Sequence, residues 1–186
     1  GFVRDLLLNI KSLDIDLVVE GDGICFAETL AEKFDGQTVS YEKFGTSTLV
    51  LKNQFNVDVA TARTENYSYP AALPKVEPSN IQLDLARRDF TINSMAIKLC
   101  GKGIFSLIDL YDGENDLRNG LIKVLHDRSF IDDPCRIFRA IRFEQRFEFC
   151  VEGQTQSHIK TAIEDNLIGQ LSGDRLINEI KLLLNE

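Results

Sequence analysis

The chain has 186 residues, 44% of them apolar, and carries a formal net charge of −8 from 21 Lys and Arg against 29 Asp and Glu. That length fits one large domain or two small ones with ample apolar material for a core, and the charge excludes a large basic surface for gripping nucleic acid. No apolar run is long enough to span a bilayer and the opening GFVRDLLLNIK lacks a signal-peptide cleavage pattern, so cytoplasmic residence with no membrane attachment is the expectation. Cys25, Cys100, Cys135 and Cys150 lie far apart with no CxxC pair and only His126 and His158 to join them, which points to reduced thiols rather than a structural zinc.

GFVRDLLLN reads as a short amphipathic helix, followed by a strand over 13–19. After the turn EGDG, Ile24, Ala27, Leu30, Ala31 and Phe34 fall at helical spacing, with Gly36 placed to stop the chain. QTVSY, TSTLVLK and FNVDVAT are three strand candidates rich in β-branched residues. From TARTENYSYPAALPKVEPSN, Pro70, Pro74 and Pro78 predict a long irregular loop. In RRDFTINSMAI, Asp89 is placed to cap a helix carrying Ile92, Met95 and Ala96, and DLYDGENDL reads as a turn or hinge. Everything after it is expected to be helical. Asp133 with Pro134 starts a helix with Ile137, Phe138, Ile141 and Phe143 on its apolar face, and Ser172 caps a last helix carrying Leu176, Ile180 and Leu183.

The strand LDIDLVV poses a chemical problem. Side chains alternate along a strand, so Asp14 and Asp16 share one face while Leu13, Ile15 and Leu17 share the other. Two adjacent carboxylates ask for a cation, and paired oxygen donors on a rigid strand suit Mg²⁺, which takes one or two carboxylates and leaves positions for phosphates. A wet strand end is the bland alternative. Asp58, in FNVDVAT, also faces away from its strand's apolar side and adds a third acid. RIFRAIRFEQR separately gathers Arg136, Arg139, Arg142 and Arg146 within eleven residues.

GFVRDLLL with DIDLVV, RRDFTINSMAI, DLYDGENDL, DDPCRIFRAIRF and LSGDRLINEI together resemble, in order and spacing, the five motifs of the class II tRNA nucleotidyltransferase and poly(A) polymerase family of the polymerase β superfamily. The resemblance covers nearly the whole chain. It implies an α+β fold: a nucleotidyltransferase head over 1–112, with a small mixed sheet and flanking helices, then an all-helical, nucleotide-selecting neck over 113–186. It assigns Asp14, Asp16 and Asp58 to catalytic Mg²⁺, Gly1 and Arg4 to the triphosphate, and Arg88 to nucleotide binding, with Arg87 and Asp89 more structural. Asp133 and Arg136 become a protein template for the base edge, a carboxylate accepting from an exocyclic amine and a guanidinium donating to ring nitrogen or carbonyl. Arg139 and Arg142 join the nucleotide site, the rival reading being a solvated basic face. Arg175 and Glu179, at i and i+4, are expected to pair on the helix surface, worth about 0.2–0.5 kcal/mol.

Three departures accompany the resemblance. The chain begins at the second glycine of the first motif, so a strand of the head is expected to be missing; Asp132 stands where the template motif usually has Glu; and the chain stops where members continue into RNA-holding domains, the expectation for the core of a longer protein. The implied reaction adds C or A from CTP or ATP to an RNA 3′ end, by resemblance that of tRNA. CCA, CC and A addition and polyadenylation share these motifs, and CCA addition is favoured over A addition or a poly(A) polymerase role. The rivals are an inactive, truncated nucleotide- or RNA-binding remnant and a small-molecule nucleotidyltransferase, against which the template and neck motifs argue. The motifs leave the oligomeric state open.

Overall fold

A computed structural model describes residues 1–52 and 55–185. The chain divides into two compact units, one of residues 1–65 and 76–87, the other of 66–75 and 88–186. The motif-based boundary at 112/113 follows a different line, because residues 88–112 pack with the second unit. Phe90 meets the Phe143 ring edge-on at 5.8 Å, and the Thr91 hydroxyl donates to Asp116 at 2.7 Å.

The first unit opens with α1 (Phe2–Leu7), β1 (Ile15–Val19), α2 (Gly23–Phe34), β2 (Gln37–Tyr41), β3 (Thr46–Val50) and β4 (Asn56–Thr61). The strands form one mixed sheet in the order β1-β4-β3-β2, with β1 parallel to β4 and the other pairs antiparallel. Period-2 alternation sends Val57, Val59 and Leu49 to one face, where Ala27 and Ala31 of α2 pack on them with Ile15, Leu17 and Leu30. The small alanines let the helix lie close. Asp22 caps α2 by accepting from Cys25 N at 3.0 Å. Its stop differs from expectation: Asp35, not Gly36, takes the left-handed conformation, with φ 52°. Gly36 is needed for proximity instead, since a Cβ there would sit 2.8 Å from the Val50 carbonyl oxygen.

The expected loop over 61–80 contains a two-stranded ribbon, β5 (Arg63–Asn66) with β6 (Lys75–Pro78), and a short helix α3 (Ile81–Ala86) follows it. Proline is tolerated at the end of a two-stranded edge, so Pro78 does not forbid the strand that it closes. Asp84, fully buried, accepts from Arg63 N at 3.2 Å and from Arg87 Nη2 at 2.8 Å, and Arg87 Nη1 donates to Glu65 at 2.8 Å. Arg87 thus sits in an internal ion network.

In the second unit the helix expected after Asp89 is replaced by a 3₁₀ turn over Thr91–Asn93 and β7 (Met95–Ile97), paired antiparallel with β8 (Leu107–Asp109). The Asp89 carboxylate bonds Phe90 N, its own neighbour, and is not available to cap a helix further on. Where a hinge was expected, Asp109 accepts from Gly113 N and Glu114 N at 2.9 and 2.8 Å and starts α4 (Gly113–Arg118). The remainder comprises β9 (Leu121–Ile122), α5 (Ser129–Asp132), α6 (Cys135–Phe147), β10 (Cys150–Val151), α7 (Gly153–Glu164) and α8 (Gly173–Leu184). The β9–β10 parallel pair interrupts the expected all-helical run. Phe90, Ile92, Ile122, Phe130, Ile137 and Ala140 are buried within this unit. Among the described residues no helix is long and apolar enough to cross a membrane.

Candidate active site

The mixed sheet has a polar face opposite α2, and the acids stand on it. Asp16 of β1 lies in register with Asp58 of the parallel strand β4, and Asp14 precedes β1 by one residue. One carboxylate oxygen from each of the three lies within 4.8 Å of the other two, and all three residues are exposed. Each pair at that separation repels by about 1 kcal/mol even in bulk water, so the trio favours a cation. An all-oxygen donor set of this kind can hold a hard divalent metal ion. Thr48, opposite Asp58 across the β3–β4 pair, donates its hydroxyl to Asp58 Oδ1 at 2.6 Å and fixes that carboxylate.

Gly1 and Arg4 belong to the same neighbourhood. A Cβ on Gly1 would come 4.0 Å from Asp16 Oδ2 and 3.9 Å from Arg4 Nη2. Arg4 is buried, and its Nε donates to Asp5 at 2.8 Å.

The remaining candidates lie in the second unit. Arg88 is half-buried at its start. Asp133 links α5 to α6, and its Oδ1 receives two donors, Cys135 N at 3.0 Å and Arg175 Nη2 at 2.6 Å. The first backbone N–H of α6 and a distant guanidinium therefore share a single oxygen. Arg136, only 5% exposed, donates from Nη1 to the Ser129 hydroxyl at 2.7 Å. Arg139 donates from Nε to Asp89 Oδ2 at 2.7 Å, and Arg142, 8% exposed, faces Glu179 at 3.7 Å. Steps of three residues rotate around a helix by slightly less than a turn each, so the three arginines fan towards different partners. They are not a solvated stripe.

The expected Arg175–Glu179 pair is replaced. Arg175 binds Asp133 and the Ala71 carbonyl, at 2.6 and 2.8 Å, while Glu179 takes Arg142. Both carboxylates are largely buried, and each is met by an arginine from a different segment, where charge-assisted bonds gain strength away from water. Burial pushes the Glu179 carboxyl above its ordinary value, and Arg142 only partly offsets it. For Asp89 burial also pushes upward, but the Arg139 guanidinium and the Asn93 amide bring its carboxyl below the ordinary aspartate value.

Sequence reasoning missed Thr48, Ser129 and the role of Arg175. Thr48 was within reach, because alternation already placed it on one face of its strand; only the hairpin register was lacking. Ser129 and Arg175 are set by tertiary approach and left no local signal.

Residues 1–123 match the family model described as the poly(A) polymerase head domain. The chain belongs to the poly(A) polymerase head domain family. It is 50% identical over 186 residues to an A-adding tRNA nucleotidyltransferase of Geobacter sulfurreducens, covering all of this chain and 21% of that protein. A solved CCA-adding enzyme in its apo form II superposes over the whole chain with a TM-score of 0.95 and 53% identity, the chain covering 44% of it. A CCA-adding enzyme in complex with CTP gives 0.88 and 48%, with all of this chain and 41% of that one covered. The chain thus spans less than half the length of each of these relatives. The head fold of this family, a mixed sheet with flanking helices, is the fold of the first unit.

Proposed function

We propose that this chain is the catalytic core of a template-independent RNA nucleotidyltransferase that adds C or A, from CTP or ATP, to the 3′ end of tRNA. The observation that carries the reading is the gathering of Asp14, Asp16 and Asp58 on adjacent strand positions in a chain of this family. Residues 1–112 would hold the metal and triphosphate, and 113–186 would select the nucleotide. A cytoplasmic setting goes with this reading.

In the reaction the RNA 3′-oxygen bonds to the α-phosphorus, the α–β phosphoanhydride breaks, and pyrophosphate leaves with the electron pair while the 3′-hydroxyl proton passes to solvent. Asp14, Asp16 and Asp58 would hold Mg²⁺, one or two ions, whose charge favours ionisation of the 3′-hydroxyl and neutralises the developing phosphate charge. Thr48 keeps the Asp58 carboxylate turned towards the cluster by its hydrogen bond. Gly1 leaves room for the triphosphate beside Asp16, and Arg4 supplies positive charge next to it. Arg88, Arg139 and Arg142 contribute further nucleotide contacts. Asp133 and Arg136 recognise the base: cytosine and adenine each offer an amino donor next to an acceptor, whereas uracil and guanine present the reverse.

The test is nucleotide incorporation with Mg²⁺ on tRNA transcripts ending before CCA, after C and after CC, with ATP and CTP singly and together. Growth by CCA from the bare end identifies CCA addition, a single A only from the CC end identifies A addition, and a long A tail on any RNA identifies a poly(A) polymerase. Asp16→Ala is expected to abolish turnover and to remove the rise in melting temperature that Mg²⁺ gives the wild type. For a metal at a hundred times its Kd, that rise corresponds to about 2.7 kcal/mol. Mg²⁺ that stabilises wild type and Asp16→Ala equally would refute the metal assignment.

A further inference from the structure

The contact between Arg175 and Asp133 joins residues 42 positions apart and has no part in the local logic of either helix. Arg175 lies in the first turns of α8, and its guanidinium spans two acceptors, Asp133 Oδ1 through Nη2 at 2.6 Å and the Ala71 carbonyl through Nη1 at 2.8 Å. Ala71 is itself buried, with φ 61°, and its N–H reaches the Ile131 carbonyl of α5 at 3.3 Å. The second acceptor is therefore anchored on the element that leads into Asp133. On the carboxylate side, Cys135 N also donates to Oδ1, at 3.0 Å. Two donors from different directions converge on that oxygen, and neither of them uses Oδ2.

We propose that Arg175 is the positioning residue for base selection, holding Oδ1 of Asp133 so that Oδ2 is the oxygen presented to the exocyclic amine of the incoming nucleotide. This rests on the base-recognising role proposed above for Asp133. An aspartate's last torsion is broad and roughly two-fold, so a carboxylate held by the Cys135 N–H alone can swing and present its acceptors over a range of directions. Discrimination between an amino and a carbonyl group depends on an acceptor that stays where a carbonyl oxygen would be repelled. Arg175 supplies that constraint. Only a planar fork can bridge the carboxylate and the Ala71 carbonyl together; a lysine ammonium keeps the charge but not the two fixed directions.

The experiment compares Kd values for CTP, UTP, ATP and GTP, with Mg²⁺ present, in wild type, Arg175→Lys, Arg175→Gln, Asp133→Ala and the double variant Arg175→Lys with Asp133→Ala. Wild type is expected to prefer CTP over UTP and ATP over GTP. Arg175→Lys and Arg175→Gln should lower the ratio of CTP affinity to UTP affinity by about ten- to a hundredfold, the range expected for one oriented charge-assisted hydrogen bond. Arg175→Lys should change that ratio no further once Asp133 is alanine, which separates positioning from a general loss of folding. Melting curves accompany each variant. If Arg175→Lys melts lower yet discriminates as wild type does, Arg175 is a structural fastener and the proposal is overturned. A further drop in the ratio on adding Arg175→Lys to Asp133→Ala overturns it too, because Arg175 would then act by another route. If wild type binds all four nucleotides alike, the template reading of Asp133 fails first and the proposal falls with it; a selective wild type with an equally selective Arg175→Lys overturns the proposal alone.

Discussion

Asp89 shows how a single residue's environment decides what it can do. Its buried carboxylate accepts from Phe90 N at 2.8 Å, from Asn93 Nδ2 at 3.0 Å and from Arg139 Nε at 2.7 Å. Burial alone would raise its pKa, but Arg139 and Asn93 bring it below the ordinary 3.8. A depressed folded-state pKa contributes stability that is present above the unfolded value and is lost as pH falls through the folded one. Asp89→Asn is therefore expected to cost about 1.5–3 kcal/mol at neutral pH, as for hydrogen bonds to a charged group. The gap should close as pH falls below the ordinary aspartate value of 3.8 and through the lower folded-state one. Urea unfolding across that range checks it, and a gap that persists below the transition would assign the loss to packing instead of charge. The identity of the three clustered acids was legible at this scale because alternation needs only a residue and its neighbours. Their mutual approach was not, since it depends on the register of Asp16 against Asp58.

At the scale of elements, ends were harder to read than faces. The apolar face of α2 was written in Ala27, Leu30 and Ala31, yet its stop falls at Asp35, and Gly36 serves close approach to β3. Ser172 starts α8 without a side-chain capping bond, whereas Glu152, a residue type seldom chosen for the role, caps α7 by accepting from Gln154 N at 3.0 Å and Thr155 N at 2.8 Å. Burial raises the Glu152 pKa somewhat, but those backbone bonds and the Thr155 hydroxyl bring it below the ordinary value. The buried Thr155 also accepts from Val124 N at 3.2 Å, so the cap secures a tertiary contact along with a helix. Glu152→Ala is expected to cost about 1 kcal/mol, the usual loss of a capping side chain. That lowers the melting temperature by about 2–4 °C for a chain of this size. By linkage the difference exists above the ordinary glutamate pKa and fades as acid protonates the cap. An equal loss at low pH would mean that the side chain acts through packing.

For the molecule as a whole, charge bears most directly on the proposed RNA substrate. The first unit carries seven Lys and Arg against thirteen Asp and Glu, and the second fourteen against sixteen, so the acidity is concentrated in the unit with the proposed metal site. In the second unit, Arg136, Arg139 and Arg142 already face internal partners, and in the proposed function they serve the nucleotide and not the tRNA backbone. Each phosphate neutralised by a protein cation contributes about −0.7 to −0.9 to the slope of log affinity against log salt. With no more than about two such contacts, tRNA affinity should fall by about tenfold or less between 50 and 200 mM salt, against about 10³–10⁵ for a protein making six to ten contacts. Added Mg²⁺ should strengthen binding beyond its ionic-strength effect in wild type but not in Asp16→Ala, because a cation held by the three acids would offset their charge towards phosphate. Mobility-shift titrations of this chain with a tRNA transcript at several salt concentrations decide the point. A steep slope would place several phosphate contacts on surface cations such as Lys98, Lys102 and Lys123, and binding would be governed by those lysines instead of by the metal.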